Sequence, residues 1–139
     1  QVVRSLALGA TLVTGGTVPN TNGFYYPPTI LTNVTEKMPV ASEETFGPVA
    51  AIIKIKSNEE ALRVANNSRF GLGSSLWTNN QKSIKFFTSQ LQAGAVFVNS
   101  MVKSDPRLPF GGTKFSGYGR ELSSYGLKEF VNIKSVWIS

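Results

Sequence analysis

Residues 73–99, GSSLWTNNQKSIKFFTSQLQAGAVFVN, decide the fold class of this chain. The stretch opens with a short strand-like run, residues 73–78, and closes with an apolar, β-branched run, residues 95–99. Between them, asparagines that suit a helix N-cap precede Ile84, Phe87 and Leu91 at helical spacing, and Gly94 is a typical helix stop. The stretch therefore predicts a strand, a helix and a second strand that runs parallel to the first.

The same alternation extends upstream. Residues 49–55, VAAIIKI, are typical of a buried strand, and residues 57–66, SNEEALRVAN, are typical of a helix in which Ser57 and Glu60 form a capping box. Three strands joined by two helices predict an α/β fold, a parallel three-layer α/β/α sheet covered by helices. Ligands of open sheets bind beyond the carboxyl ends of the strands, and the glycine-rich residues 107–121 follow the last strand.

Two segments lie upstream of this core. Residues 1–16 predict the end of a helix, a strand and a Gly-Gly turn. Residues 24–35 predict an extended segment, because Pro27 and Pro28 cannot continue a helix.

The tail predicts a short helix and then a strand with an exposed Trp137. Apolar residues alternate along this last strand, and such a strand needs a neighbour, which we expect to be another subunit. We therefore expect a domain over residues 1–130 and an oligomerisation strand over residues 131–139.

Composition excludes several classes of function. The 139 residues suit one domain with its own core, and they contain no Cys and no His. Thiolate catalysis and the common metal sites are therefore excluded on this chain, and no metal is expected. The net charge of +6 is spread over scattered Lys and Arg, which argues against a nucleic-acid partner. No apolar run is long enough to span a bilayer and no secretion signal opens the sequence, so we expect no membrane partner and a cytoplasmic location.

Residues 41–50, ASEETFGPVA, offer a possible nucleotide contact. Glu43 and Glu44 precede Phe46 and a Gly-Pro turn, so a hydrogen-bond-accepting charge stands beside a flat apolar face. That pair suits a ribose diol and a planar heterocycle. The alternative is a helix end with solvated acids.

The glycine-rich residues 107–121, RLPFGGTKFSGYGRE, match no phosphate-binding pattern. Their glycines either allow close backbone approach or simply make turns. Just before them, Lys103, Ser104 and Arg107 could hold a small carboxylate, although ordinary loops are also polar.

These stretches together resemble the carboxyl-terminal part of the aldehyde dehydrogenase superfamily, over essentially the whole chain. EETFGPV is similar to that family's Glu-x-Phe-Gly-Pro motif, and LPFGGTKFSGYGREL is similar to its Pro-Phe-Gly-Gly-x-Lys-x-Ser-Gly-x-Gly-Arg-Glu motif. FYYPPTIL, ANNSRFGLGSSLWT and GAVFVN occur between them in the family's order and spacing.

The resemblance implies roles for individual residues. Glu44 would hydrogen-bond the nicotinamide ribose, and Phe46 would pack near the nicotinamide ring. Phe110 would line the aldehyde pocket, and Glu121 would belong to a proton path behind the general base. The last strand, around residues 132–138, would join an intersubunit sheet in a homo-oligomer.

Within the superfamily, VNSMVKSDPRLPFGG is most similar to the succinate-semialdehyde dehydrogenase group. In that group a serine of this loop helps to bind the substrate carboxylate, and its counterpart here is Ser104. Because Lys103, Asp105 and Arg107 surround it, another short or medium aldehyde stays open as the substrate.

The family's nucleophilic cysteine, its general-base glutamate and most of its NAD or NADP site lie upstream of the part that this chain resembles. The chain has no Cys, so we expect no catalytic residue on it and no activity from it alone. A start at Gln1 rather than Met suggests that upstream sequence exists. The leading hypothesis is a carboxyl-terminal part of an NAD(P)-dependent aldehyde dehydrogenase; the alternative is a stand-alone binding or assembly module that catalyses nothing.

Overall fold

The computed structural model describes all 139 residues, which form two compact units, Gln1–Ser57 and Asn58–Ser139. The first unit contains α1 (Val2–Ala7), β1 (Thr11–Thr14), β2 (Thr29–Thr32), α2 (Pro39–Ser42) and β3 (Val49–Ala51). The second contains α3 (Asn58–Asn66), β4 (Phe70–Gly71), β5 (Gly73–Leu76), α4 (Gln81–Gln90), β6 (Ala95–Val98), β7 (Thr113–Lys114) and α5 (Ser123–Lys128). None of these helices is both long and apolar enough to cross a membrane.

The first unit is built on a three-stranded sheet in the order β1-β2-β3. β2 pairs antiparallel with β1 and parallel with β3. Leu31 of β2 is fully buried, and an apolar cluster surrounds it. Burying a leucine side chain contributes about 2 kcal/mol, so the central strand anchors this unit. The cluster consists of Val2, Ala10, Leu31, Val34, Met38 and Val40.

The second unit contains the predicted strand-helix-strand motif. β5 and β6 pair in parallel, from Gly73 opposite Ala95 to Leu76 opposite Val98, with α4 as the connection. Asn80 caps α4, because its side-chain oxygen accepts hydrogen bonds from the backbone N–H groups of Lys82 and Ser83.

The boundaries of α4 and of the two strands differ little from the sequence prediction. Phe87 is buried, Ile84 and Leu91 are half-buried, and the helix ends at Gln90, four residues before the predicted stop. The helix over residues 57–66 is confirmed as α3, and the short helix before the tail is confirmed as α5.

The α/β class is confirmed, but one predicted strand differs in length and partner. The run over residues 49–55 forms a strand only as far as Ala51, and this strand pairs with β2 rather than with β5 or β6. The β-branched residues of β2 offer β3 a parallel partner close in sequence, which the sequence analysis treated only as an extended segment.

Residues 132–139 have no regular secondary structure in the isolated chain, and the segment pairs with no strand. Trp137 is 91% exposed, and Ile133, Val136 and Ile138 are also exposed. A strand that pairs with another subunit requires that subunit, so the oligomerisation strand stays a prediction.

Candidate functional site

Residues 43–48, here called the acidic corner, connect α2 to β3 in the first unit. Proline at the first position of α2 starts that helix, which ends at Ser42 and is followed by Glu43 in extended backbone. Glu43 is bound by Arg4 of α1: Nη2 donates to Oε2 at 2.6 Å and Nη1 donates to Oε1 at 3.0 Å. This two-point contact selects one geometry for the Glu43 side chain.

Glu43 and Glu44 therefore differ although they are neighbours. The hydrogen bonds from Arg4, and then one from Gln1 Nε2, hold the pKa of Glu43 below its usual range. The Glu44 carboxylate is exposed and makes no hydrogen bond or ion pair, while its backbone carbonyl accepts from Gln1 Nε2 at 2.9 Å. Of the two predicted acceptors, only Glu44 is free to bind a ligand.

Phe46 follows Glu44 by two positions in the sequence, and its ring is uncovered because the residue is 97% exposed. Between them, Thr45 buries its hydroxyl oxygen without a hydrogen-bond partner. Buried polar groups are normally paired. The corner thus combines a free carboxylate, an unpaired hydroxyl and an uncovered aromatic face.

Residues 107–121, here called the glycine loop, are closed on themselves in the second unit. Phe110 and Glu121 form an antiparallel bridge in which each backbone N–H donates to the other residue's carbonyl at 2.8 Å. Arg120 Nη1 donates to the carbonyl of Gly112 at 2.9 Å and to that of Gly119. Because its charge is used on the loop's own backbone, Arg120 holds the loop in shape.

Two glycines permit backbone contacts that any side chain would block. A Cβ on Gly94 would lie 1.7 Å from the carbonyl oxygen of Gly111, and a Cβ on Gly126 would lie 2.8 Å from the carbonyl carbon of Glu121. The first contact sets the loop against the end of α4 and the start of β6, and the second sets α5 against Glu121. Among the loop's own glycines, close backbone approach, one of the two explanations left open, is correct at Gly112, where a Cβ would lie 2.7 Å from the carbonyl oxygen of Ser116.

Lys114 is a tether that the sequence analysis did not identify. Its Nζ donates to the carbonyl oxygens of Asn66 and Ser68, both at 2.8 Å, and so ties the loop to the end of α3. No periodicity signals such a contact, because it joins residues almost fifty positions apart.

Phe110 lines two pockets. One has a volume of about 390 Å³ and is also lined by Glu121, Tyr118 and Phe130. The other has a volume of about 350 Å³ and lies along β6, where Ser100, Lys103 and Asp105 are the polar lining residues. The structure therefore brings Phe110 and Glu121 together, as two of the predicted site residues.

The three residues predicted to bind a carboxylate, Lys103, Ser104 and Arg107, differ in their contacts. Arg107 donates to Asp105 from Nε at 2.9 Å, from Nη2 at 2.6 Å and from its backbone N–H at 3.0 Å, and these bonds lower the pKa of Asp105. Arg107 is therefore occupied within the loop. Ser104 is exposed and does not line the pocket beside β6, whereas Lys103 does.

The predicted residues thus fall in two groups. Glu44 and Phe46 belong to the first unit, and Ser104, Phe110 and Glu121 belong to the second. Within each unit the geometry stands as described, and the roles that the resemblance implies for these residues stay predictions.

Comparison with known protein families gives one family for almost the whole chain. A model described as the aldehyde dehydrogenase family matches residues 1–136.

Individual relatives agree with this family. The chain is 52% identical over 131 residues, 94% of its length, to an aldehyde dehydrogenase of Paenarthrobacter nicotinovorans, and 47% identical over all 139 residues to a succinate-semialdehyde dehydrogenase [NADP(+)] of Mycobacterium leprae. It spans 29% and 30% of these two proteins.

The fold is shared with a solved relative. The structure of succinate-semialdehyde dehydrogenase from Burkholderia pseudomallei superposes with a TM-score of 0.91 at 41% identity, over 96% of this chain and 28% of that one.

Proposed function

This chain belongs to the aldehyde dehydrogenase family, and from that premise we propose that it forms the carboxyl-terminal part of an NAD- or NADP-dependent enzyme that oxidises succinate semialdehyde. The observation that carries the proposal is the 47% identity, over every residue of the chain, to a protein named succinate-semialdehyde dehydrogenase. The chain spans about a third of the length of such relatives, so it contributes only part of the active site.

The acidic corner is the part that would contact the cofactor. Glu44 carries a free carboxylate that can accept hydrogen bonds from the two hydroxyls of a ribose, and the exposed face of Phe46 offers a flat surface to the adjoining ring. A hydrogen-bond acceptor and a flat apolar surface are the two kinds of group that suit a nicotinamide nucleoside. A nicotinamide held there would supply the hydride acceptor for oxidation of the aldehyde carbon.

The glycine loop is the part that would shape the substrate pocket. Phe110 is held by its backbone bridge to Glu121, so the ring forms a fixed apolar wall for the aldehyde chain. Glu121 is held on both sides, by this bridge and by the close approach of Gly126. These contacts fix its backbone, and its exposed carboxyl group is open to take part in a proton path.

The nucleophile must come from outside this chain, which contains no Cys. We place the thiolate and the general base on the remainder of the enzyme, and we expect the 139 residues alone to be inactive. We also assign the exposed tail, residues 131–139, to subunit assembly, because Trp137 and its apolar neighbours have no partner within the chain.

A turnover assay tests this function. Cofactor reduction is measured with succinate semialdehyde and either NAD or NADP, for the purified 139-residue chain and for the full-length product of its gene. We expect turnover from the full-length protein only. Butanal, which has the same length but no carboxylate, serves as the control substrate.

Two results would contradict the proposal. Turnover by the 139-residue chain would require chemistry without cysteine. A full-length protein that oxidises neither aldehyde would remove the function itself and favour the non-catalytic module.

A further inference from the structure

The pocket beside β6 contains a cation whose role the family resemblance does not supply. Its walls are the apolar residues of β6, Leu108, Pro109 and Phe110, and its two charged lining residues are Lys103 and Asp105. At about 350 Å³ it is at the small end of ligand pockets, which suits a short aliphatic chain.

The carboxylate of Asp105 forms its ion pair with Arg107 and not with Lys103. Asp105 is already bound by Arg107 through two side-chain hydrogen bonds and one backbone hydrogen bond, so its negative charge is compensated. Lys103 is exposed and makes no hydrogen bond or ion pair, and it acts on Asp105 only through the electrostatic attraction that adds to the lowering of that carboxyl's pKa. Two cations, Lys103 and Arg107, therefore stand beside the single carboxylate of Asp105, and the local charge is positive.

A cation in the lining of an apolar pocket selects a ligand with a complementary shape and charge. The apolar walls can surround a short methylene chain, and the ammonium group can donate hydrogen bonds to a carboxylate at the end of the ligand opposite the aldehyde. The family resemblance implies a carboxylate-binding role for Ser104, but Ser104 does not line this pocket.

We infer that Lys103 is the specificity-determining residue that recognises the carboxylate of an ω-carboxylated short aldehyde in the pocket lined by Phe110. The inference rests on the proposed function, since it names the residue by which that function distinguishes acidic aldehydes from neutral ones. Arg107 has no part in this recognition because it is occupied by Asp105.

The test compares kcat/KM for succinate semialdehyde and for butanal in the full-length enzyme. Replacing Lys103 with Met should lower kcat/KM for succinate semialdehyde about 10- to 100-fold, as expected for the loss of a charged hydrogen bond, and should leave kcat/KM for butanal within about twofold. Lys103→Arg should keep most of the preference, because it keeps the charge. Lys85→Met, at an exposed position of α4 outside the pocket, is the matched control and should change neither value.

A second readout does not depend on turnover. Succinate is titrated into the same proteins, and its dissociation constant should rise about 10- to 100-fold in Lys103→Met only. Melting temperatures check that each variant is folded, which is expected because Lys103 is exposed and unbonded.

The outcomes separate this inference from the proposed function. If the wild type prefers succinate semialdehyde and Lys103→Met keeps that preference, the inference is wrong while the function stands, and a matching loss in Ser104→Ala would transfer the role to the serine. If the wild type oxidises neither aldehyde, the function is wrong, and the succinate titration alone decides whether Lys103 binds a carboxylate.

Discussion

The acidic corner and the glycine loop contain the predicted site residues, and they are held in opposite ways. In the corner, side-chain contacts from Arg4 and Gln1 hold Glu43 and the backbone of Glu44, and the two groups proposed to contact the cofactor, the Glu44 carboxylate and Phe46, are exposed. In the loop, a backbone bridge, the Lys114 tether and the Gly94 contact all fix the chain, while Phe110 is half-buried.

This difference indicates how far each region depends on contacts within its own unit. The loop keeps its shape through contacts within residues 58–139, so substitutions there should lower the free energy of unfolding. The corner presents Glu44 and Phe46 as exposed groups for which we propose the cofactor as the partner, so changes there should alter the affinity for the cofactor. Each of the following predictions sharpens or breaks this division, from the largest expected effect to the smallest.

Gly94→Ala should have the largest effect, and the effect should be on stability. The new methyl group would lie 1.7 Å from the carbonyl oxygen of Gly111, so the loop backbone has to move, at a cost of about 3 kcal/mol in the free energy of unfolding. Urea denaturation measures it. Gly47→Ala is the matched control, because its methyl group meets nothing within 4 Å, and it should leave stability unchanged or slightly raised. Equal losses in both variants would contradict the close approach.

Glu44→Gln should come second and should affect binding alone. Loss of the charge weakens the hydrogen bonds from the ribose hydroxyls, so the KM for the cofactor in the full-length enzyme should rise about tenfold, or about 1.4 kcal/mol. The urea midpoint should not move, since the Glu44 carboxylate is exposed and makes no hydrogen bond or ion pair within the chain. An unchanged KM together with a lower midpoint would reverse the assignment and make the residue structural.

Lys114→Met should have a smaller effect on stability, about 1 kcal/mol. It removes two charged hydrogen bonds to the carbonyls of Asn66 and Ser68 but leaves those exposed oxygens open to water. Lys85→Met removes the same charge from a position without such contacts and is the control. If both variants melt at the same temperature, the tether contributes nothing to the loop.

Arg4→Met should have the smallest effect, and its size should depend on pH. The pKa of Glu43 is lowered in the folded chain, so the pair stabilises the fold above the unfolded pKa of about 4.3 and loses that contribution as pH falls through the folded value. Wild type should therefore be slightly more stable than Arg4→Met at pH 7 and equal to it in acid. Urea titrations at the two pH values measure the difference, and a gap that persists in acid would exclude the ion pair as its cause.

Much of the fold could be predicted from the sequence because its signals are local. The spacing of Ile84, Phe87 and Leu91 and the Asn80 cap define α4, and short connections make the flanking strands parallel. The partner of β3 could not be predicted in the same way, since the sequence of β2 and the prolines before it predicts only an extended segment. Pairing between strands is decided by tertiary register rather than by local pattern.

The candidate site divides along the same line. Phe110, Glu121, Glu44 and Phe46 are predicted through the resemblance of their segments to the family's motifs. That Arg4 neutralises Glu43, or that Arg107 is bound to Asp105 and leaves Lys103 free, depends on where side chains meet in space. Two adjacent glutamates and three neighbouring polar residues look equivalent in sequence, and only the contacts distinguish them.

The Arg4–Glu43 pair also changes the electric field that the cofactor we propose for this corner would meet. Two adjacent carboxylates would repel a phosphate-bearing ligand with two negative charges. Because Arg4 compensates the charge of Glu43, the corner keeps only the single negative charge of Glu44. At about 0.1 M salt, charges are screened over about 10 Å, so this repulsion acts only in the last part of the approach. Halving it there should raise the association rate of the ligand and make that rate less sensitive to ionic strength than a doubly charged corner would allow.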